Sequence, residues 1–139
     1  MSDALCKLHI PDGGFLPGLT LWSPQRQDGS TKIVGRAYTV EYRSHSDPAP
    51  KHGSHYVSDR NGSPACLPFV PVANELQIDS IPEGAVIYIS CPRFVYNACY
   101  GGLMSTRAKA SRAVGTVIDG RFRDLQEHRD LGYPVRKYQ

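Results

Sequence analysis

The chain has 139 residues, 40 % of them hydrophobic and 21 % charged, with a formal net charge of +3. That length supports one domain around one core, and these fractions are ordinary for a soluble globular protein. The basic residues are scattered rather than gathered into a stripe, which argues against nucleic-acid binding, and no apolar run approaches the roughly 20 residues of a membrane span.

The N-terminus, MSDALCKLHIPDGG, has no basic segment followed by an apolar stretch, so no secretory signal is expected and the chain reads as cytoplasmic. Cys6, Cys66, Cys91 and Cys99 lack CxxC spacing and are expected to be reduced, buried thiols rather than a disulfide or a zinc site. SDALCKL predicts a short helix capped by Ser2 or Asp3. IPDGGFLPG cannot continue it, because its prolines and glycines impose turns.

KIVGRAYTVEYR, residues 32–43, alternates as a strand does, with Ile33, Ala37 and Val40 expected in the core. Gly35 within it marks a bulge or a close backbone approach. Residues 44–71 are rich in Pro, Gly, Ser and His. His45, His52 and His55 raise a metal hypothesis, but without tight ligand spacing the segment reads as a long surface loop that could cover a site.

VANELQIDSI predicts a short helix, and PEGAVIYISCP is the clearest strand, apolar from Ala85 to Ile89 as expected for a strand covered on both faces. A helix from about Gly102 to Arg112 and a second buried strand in AVGTVIDG complete a βαβ unit with parallel strands and a right-handed crossover.

Ligands of open α/β sheets bind beyond the carboxyl ends of the strands. Two segments reach that edge. Gly101, Gly102, Leu103 and Met104 open the helix, where glycines admit a ligand to the backbone and first-turn amides attract an anion. Asp119, Gly120, Arg121, Phe122, Arg123 and Asp124 follow the second strand. An arginine grips a carboxylate with two parallel hydrogen bonds, and an aspartate holds a hard divalent cation. A substrate that is a carboxylate and chelates a metal, such as a 2-oxo acid, suits this set. The spacing is equally compatible with an Asp-Gly turn followed by a surface salt bridge involving Arg121.

The stretch GGLMSTRAKASRAVGTVIDGRFRDLQEHRDLGYPV resembles the RraA-like family, in particular its fungal-type branch; SDAL, KIVGRAYTV and IPEGAVIYI match in the same order. The family includes 4-hydroxy-4-methyl-2-oxoglutarate aldolase and oxaloacetate decarboxylase. The resemblance implies an α/β fold, a swivelling β/β/α sandwich over residues 1–139, assembled as trimers or hexamers with sites between subunits. It implies substrate binding by Gly101 to Met104, the pyruvyl carboxylate on Arg123, Mg²⁺ or Mn²⁺ on Asp124, and Asp119 in catalytic support. Cleavage of a 2-oxo acid would pass through a metal-stabilised enolate.

Two departures stand out. Many bacterial members carry an acidic residue at the position of Gly102, which orients a water as acid or base, so decarboxylation is expected to survive here better than aldol cleavage. The family also has more helix before SDAL and further strands after PVF, whereas Arg136-Lys137 replaces that apolar continuation and would leave sheet edge exposed. The competing readings are a non-catalytic binding or regulatory protein, like the member that binds RNase E but lacks these aspartates, and a truncated relic recruited to another pathway. Asp119 and Asp124 favour the enzyme.

Overall fold

The computed structural model describes residues 2–28, 30–43, 55–58, 80–92 and 96–138. Strand β4 (Val86–Ser90) begins after a turn in which Gly84 takes the left-handed conformation (φ 74°), and its β-branched and aromatic residues suit a pleated surface. Helix α2 (Gly102–Ala110) follows, then β5 (Gly115–Asp119), which pairs with β4 in parallel. The expected βαβ unit is therefore present.

Helix α2 ends because Arg112 enters the left-handed region (φ 59°), its amide bonding to the Lys109 carbonyl and that of Ala113 to the Ala108 carbonyl, a Schellman closure without glycine. The same closure, here with Gly132 (φ 64°), ends helix α3 (Leu125–Asp130) and turns the chain into β6 (Val135–Tyr138).

Helix α1 (Ser2–Lys7) leads through a 3₁₀ turn at Pro11–Gly14 into β1 (Leu19–Ser23). Strands β2 (Ala37–Arg43) and β3 (His55–Ser58) complete a six-stranded sheet of order β1-β6-β5-β4-β2-β3, in which only the β1–β6 pairing is antiparallel. No helix among the described residues is long and apolar enough to cross a membrane.

One face of the sheet carries the core: Tyr38, Val40 and Tyr42 from β2, Ile87 and Ile89 from β4, Ile118 and Val135, packed with Ala108, Tyr100 and Tyr133. Each large apolar side chain buried this way contributes about 1.5–3 kcal/mol. Helix α2 lies close because its buried stripe is Gly102, Ser105 and Ala108, small residues at three-residue spacing.

Several expectations change. The strand at 32–43 begins at Ala37, and its inward face is Tyr38, Val40 and Tyr42, so Ala37 is exposed. Strand β4 is fully buried on one face and half-buried on the other, whereas β5 is buried on both. Cys6 is exposed, while Cys99 is buried and Cys91 half-buried. The Arg136-Lys137 segment forms β6 inside the sheet, covered by β1 on one side and β5 on the other. The histidine-rich stretch and the helix expected at 72–81 lie mostly outside the described residues, as does Cys66.

Gly35 is a close approach, as expected: a β-carbon there would overlap the carbonyl oxygen of Gly84. Gly35→Ala is expected to cost about 1–3 kcal/mol through forced backbone movement, read as a lower urea midpoint at unchanged slope.

Candidate active site

Beyond the end of β5 the chain bends at Gly120. A β-carbon at Gly120 would sit 3.0 Å from Cβ of Cys91 and 3.2 Å from Sγ of Cys99, so glycine is required where the two thiols converge. Residues 121–123 then run beside 99–100. The Cys99 amide donates to the Arg121 carbonyl (2.8 Å) and the Arg123 amide to the Tyr100 carbonyl (3.0 Å), with a parallel bridge between Tyr100 and Phe122. This pairing delivers Arg123 and Asp124 to the start of α2.

Asp124 is the N-cap of α3 in the left-handed conformation (φ 62°, ψ 41°), and its carboxylate makes no bond to its own helix. Instead Oδ2 accepts the amide of Gly102 at 3.0 Å and lies 3.4 Å from Nε of Arg123. Left-handed aspartate is uncommon and costs free energy. Here it folds the carboxylate back onto a neighbouring helix terminus, whose partial positive charge favours it. The Arg123 side chain is 72 % exposed, so the ion pair stabilises the fold little; it holds the two groups together.

The glycines make this contact possible. A β-carbon at Gly101 would be 2.8 Å from Asp124 Oδ2 and 3.1 Å from Arg123 Nε. One at Gly102 would overlap the Glu127 carboxylate and lie 2.7 Å from its Cδ. The space beside Gly102 is thus occupied by a carboxylate of α3.

Beneath the site His128 is completely buried. Its Nε2 donates to the Arg123 carbonyl (2.7 Å), and Nδ1 lies 2.8 Å from the Ser105 hydroxyl. The network continues from Ser105 to Tyr100 (3.0 Å), to Thr116 (3.0 Å) and to Tyr133 (3.2 Å). Burial pushes the hydroxyl pKa values of Tyr100 and Tyr133 up, so both stay protonated donors.

Burial also lowers the His128 pKa, opposed by its bond to Arg123 and by the charges of Asp124 and Glu127. The unfolded chain, with an ordinary value of about 6.5, therefore takes up this proton before the folded one does. Stability is expected to be lost as pH falls below about 6.5, seen as a falling melting temperature between pH 7.5 and 5.5 that is flattened in His128→Gln.

The predicted residues are distributed as follows. Gly101, Gly102, Arg123 and Asp124 meet. Leu103 is 83 % exposed, and Met104 packs against the core with its amide bonded to the Gly101 carbonyl. Asp119 stands half-exposed at the end of β5, close enough to Tyr88 to raise that hydroxyl's pKa alongside the effect of burial. An open cleft of about 370 Å³ adjoins Arg123 and Asp124, walled also by Trp22, Arg121, Phe122 and Lys137. The sequence singles out neither Trp22 nor Lys137 as a site residue, since both come from strands about a hundred residues apart. Glu127 and His128 carry a weak signal, being one turn beyond the Arg-Asp pair.

Among the described residues no three His, Cys, Asp or Glu side chains cluster as a metal cage. A lone exposed carboxylate fits an ion such as Mg²⁺, which keeps most of its ligands as water and substrate.

These features define a mixed α/β protein with an arginine–aspartate pair carried from a parallel strand to a glycine-opened helix terminus. The chain belongs to the RraA-like family: the family model described as Aldolase/RraA matches residues 2–139. It is similar to Protein DlpA of Legionella pneumophila subsp. pneumophila, at 29 % identity over 135 residues, covering 97 % of this chain and 18 % of that protein. The chain thus spans about a fifth of that relative's length. A solved structure described as one of novel cellulases from microbes of the gut ecosystem aligns with 45 % of this chain and 28 % of its own, at 24 % identity and a TM-score of 0.42. That likeness is too slight to carry an argument.

Proposed function

We propose that the protein is a divalent-metal-dependent lyase that cleaves a carbon–carbon bond of a 2-oxo acid, releasing pyruvate, in the cytoplasm and as a trimer or hexamer. The observation that carries this reading is the convergence of Arg123 and Asp124 on Gly101 and Gly102, together with membership of a family that includes aldolases.

Arg123 offers a planar fork for the C1 carboxylate. The Gly102 amide already holds a carboxylate, that of Asp124, so the helix terminus is suited to anionic oxygen. A Mg²⁺ or Mn²⁺ ion held by Asp124 would supply Lewis-acid stabilisation of charge developing on the 2-oxo oxygen. Decarboxylation of oxaloacetate needs no base. Retro-aldol cleavage must take a proton from the C4 hydroxyl, and Glu127, in the space beside Gly102, is the carboxylate placed to accept it. Asp119 is assigned a supporting role through the end of β5.

Pyruvate release from oxaloacetate with Mg²⁺ or Mn²⁺, with EDTA and against a metal-matched protein-free control tests the reading. Turnover above the control that EDTA abolishes is expected; a folded oligomer with none would indicate a binding protein or another substrate. Glu127→Gln is expected to lower retro-aldol cleavage of 4-hydroxy-4-methyl-2-oxoglutarate by about 10²-fold or more, while leaving oxaloacetate decarboxylation within about threefold.

A further inference from the structure

Two cysteines converge where the segment that carries Arg123 and Asp124 bends. The Cys91 amide donates to the Asp119 carbonyl at 2.8 Å, and the Cys99 amide to the Arg121 carbonyl at 2.8 Å. Groups two residues apart on an extended chain point to one side, so the cysteines are neighbours along the flank of residues 119–121. Between those carbonyls stands Gly120, where a β-carbon would be 3.1 Å from Sγ of Cys91 and 3.2 Å from Sγ of Cys99. Both sulfurs therefore lie within 3.2 Å of one point, and at most about twice that distance from each other. Both are free thiols.

The two thiols differ in access. Cys91 is half-buried, whereas Cys99 is only 4 % exposed and its thiol donates to the Arg121 carbonyl at 3.2 Å. One accessible and one shielded thiol suit stepwise thiol–disulfide exchange, in which the first sulfur meets the oxidant and the second resolves the product. Cys99 is also tied to the site. Its neighbour Tyr100 accepts the Arg123 amide at 3.0 Å, and Gly101, one residue further, abuts the Asp124 carboxylate.

We propose that Cys91 and Cys99 form a redox-active pair, closed to an intrachain disulfide by a low-molecular-weight disulfide, and that closure draws the start of α2 away from Asp124. The Cys91 thiolate attacks one sulfur of the oxidant, and a thiolate leaves and takes up a proton. Cys99 then gives its proton to solvent, attacks the Cys91 sulfur and expels the second thiolate, so two electrons pass from the pair to the oxidant. Bonding requires the sulfurs to come into covalent contact. Closure therefore pulls Cys99 towards Cys91, removes the thiol bond to the Arg121 carbonyl and carries Tyr100 and Gly101 with it. The pair stands apart from the lyase reading; where that reading holds, the bridged form is the slower one.

The test treats the full chain with oxidised glutathione, alkylates the remaining thiols and maps the peptides by mass spectrometry. Wild type is expected to lose two hydrogen atoms in a Cys91–Cys99 linkage that dithiothreitol reverses. Cys99→Ser is expected to stop with glutathione on Cys91, and Cys91→Ser to leave Cys99 a thiol. Alkylation of both cysteines in wild type, or their capture in any other linkage, overturns the proposal. Amide exchange followed by NMR reads the displacement. The Gly102 amide, bonded to Asp124 at 3.0 Å, is expected to exchange about tenfold faster in the bridged chain; equal exchange overturns the link to the site. Pyruvate release separates this pair from the lyase reading. A reduced chain that turns over is expected to slow about tenfold on bridging, and an unchanged rate again overturns the link. A reduced chain without turnover removes the lyase, while linkage and exchange still decide the pair.

Discussion

Arg123→Ala is expected to lower kcat/KM for the proposed pyruvate release from oxaloacetate by about 10²–10³, the usual effect of deleting one positioned donor to developing or bound negative charge. The fold survives the change, because the side chain is 72 % exposed and its single ion pair, to Asp124, adds little to stability. The backbone of residue 123 remains fixed by its amide bond to Tyr100 and its carbonyl bond to His128. The variant should melt within about 2 °C of wild type, since a surface substitution of this kind is usually worth under about 0.5 kcal/mol. Steady-state kinetics and a melting curve on the same preparation check both halves. A preserved rate removes Arg123 from the site.

His128→Leu has the largest expected effect on stability, about 2–4 kcal/mol. It removes two hydrogen bonds from a side chain with no solvent exposure, leaving the Arg123 carbonyl without that partner and the Ser105 hydroxyl with Tyr100 alone. It also loses the ring stacked on Tyr100 at 5.7 Å and tilted against Phe122 at 5.6 Å. Because His128 grips the residue that presents the guanidinium, kcat/KM is expected to fall about tenfold even at a temperature where the variant is fully folded, as a small misplacement of a positioning group does. His128→Gln, which keeps a donor for the carbonyl, should recover part of the activity. Urea unfolding combined with kinetics at low temperature separates the two effects. Full activity in a destabilised His128→Leu would confine the histidine to the core.

The legible parts of this fold are those whose pattern is local. The run Ala85 to Ile89, the glycine pair at 101–102 and the strand ending at Asp119 announce a βαβ unit through period and punctuation alone. Strand β1 escapes because LTLWS is flanked by turn residues and gains its meaning only by pairing with β6 at the far end of the chain. Helix α3 escapes because LQEHRD looks polar throughout; its buried anchor is a histidine, satisfied by partners that the sequence cannot bring together. The shift of the β2 inward face to Tyr38, Val40 and Tyr42 follows from tyrosine hydroxyls finding acceptors, as Tyr42 does on the Cys99 carbonyl at 3.0 Å.

The site divides in the same way. Arg123 and Asp124 are adjacent in sequence, and in an extended strand they would face opposite sides. Their convergence depends on the bend at Gly120, where Cys91 and Cys99 leave little room for a β-carbon, and on the left-handed Asp124, neither of which a spacing rule contains. Cys91 and Cys99, read in sequence only as reduced, buried thiols, pack against that bend. Lys137 reads in sequence as a break in an apolar continuation, yet strand alternation turns it toward the cleft.

Asp124 is proposed to hold the metal on which turnover depends. The most direct test is a Mg²⁺ titration of pyruvate release from oxaloacetate by wild type and Asp124→Asn side by side, each corrected by a protein-free control at the same metal concentration. A saturable, protein-dependent rate is expected for wild type, with a loss of about 10²-fold or more in the variant. Equal metal-dependent rates from the two proteins would remove Asp124 from the metal site.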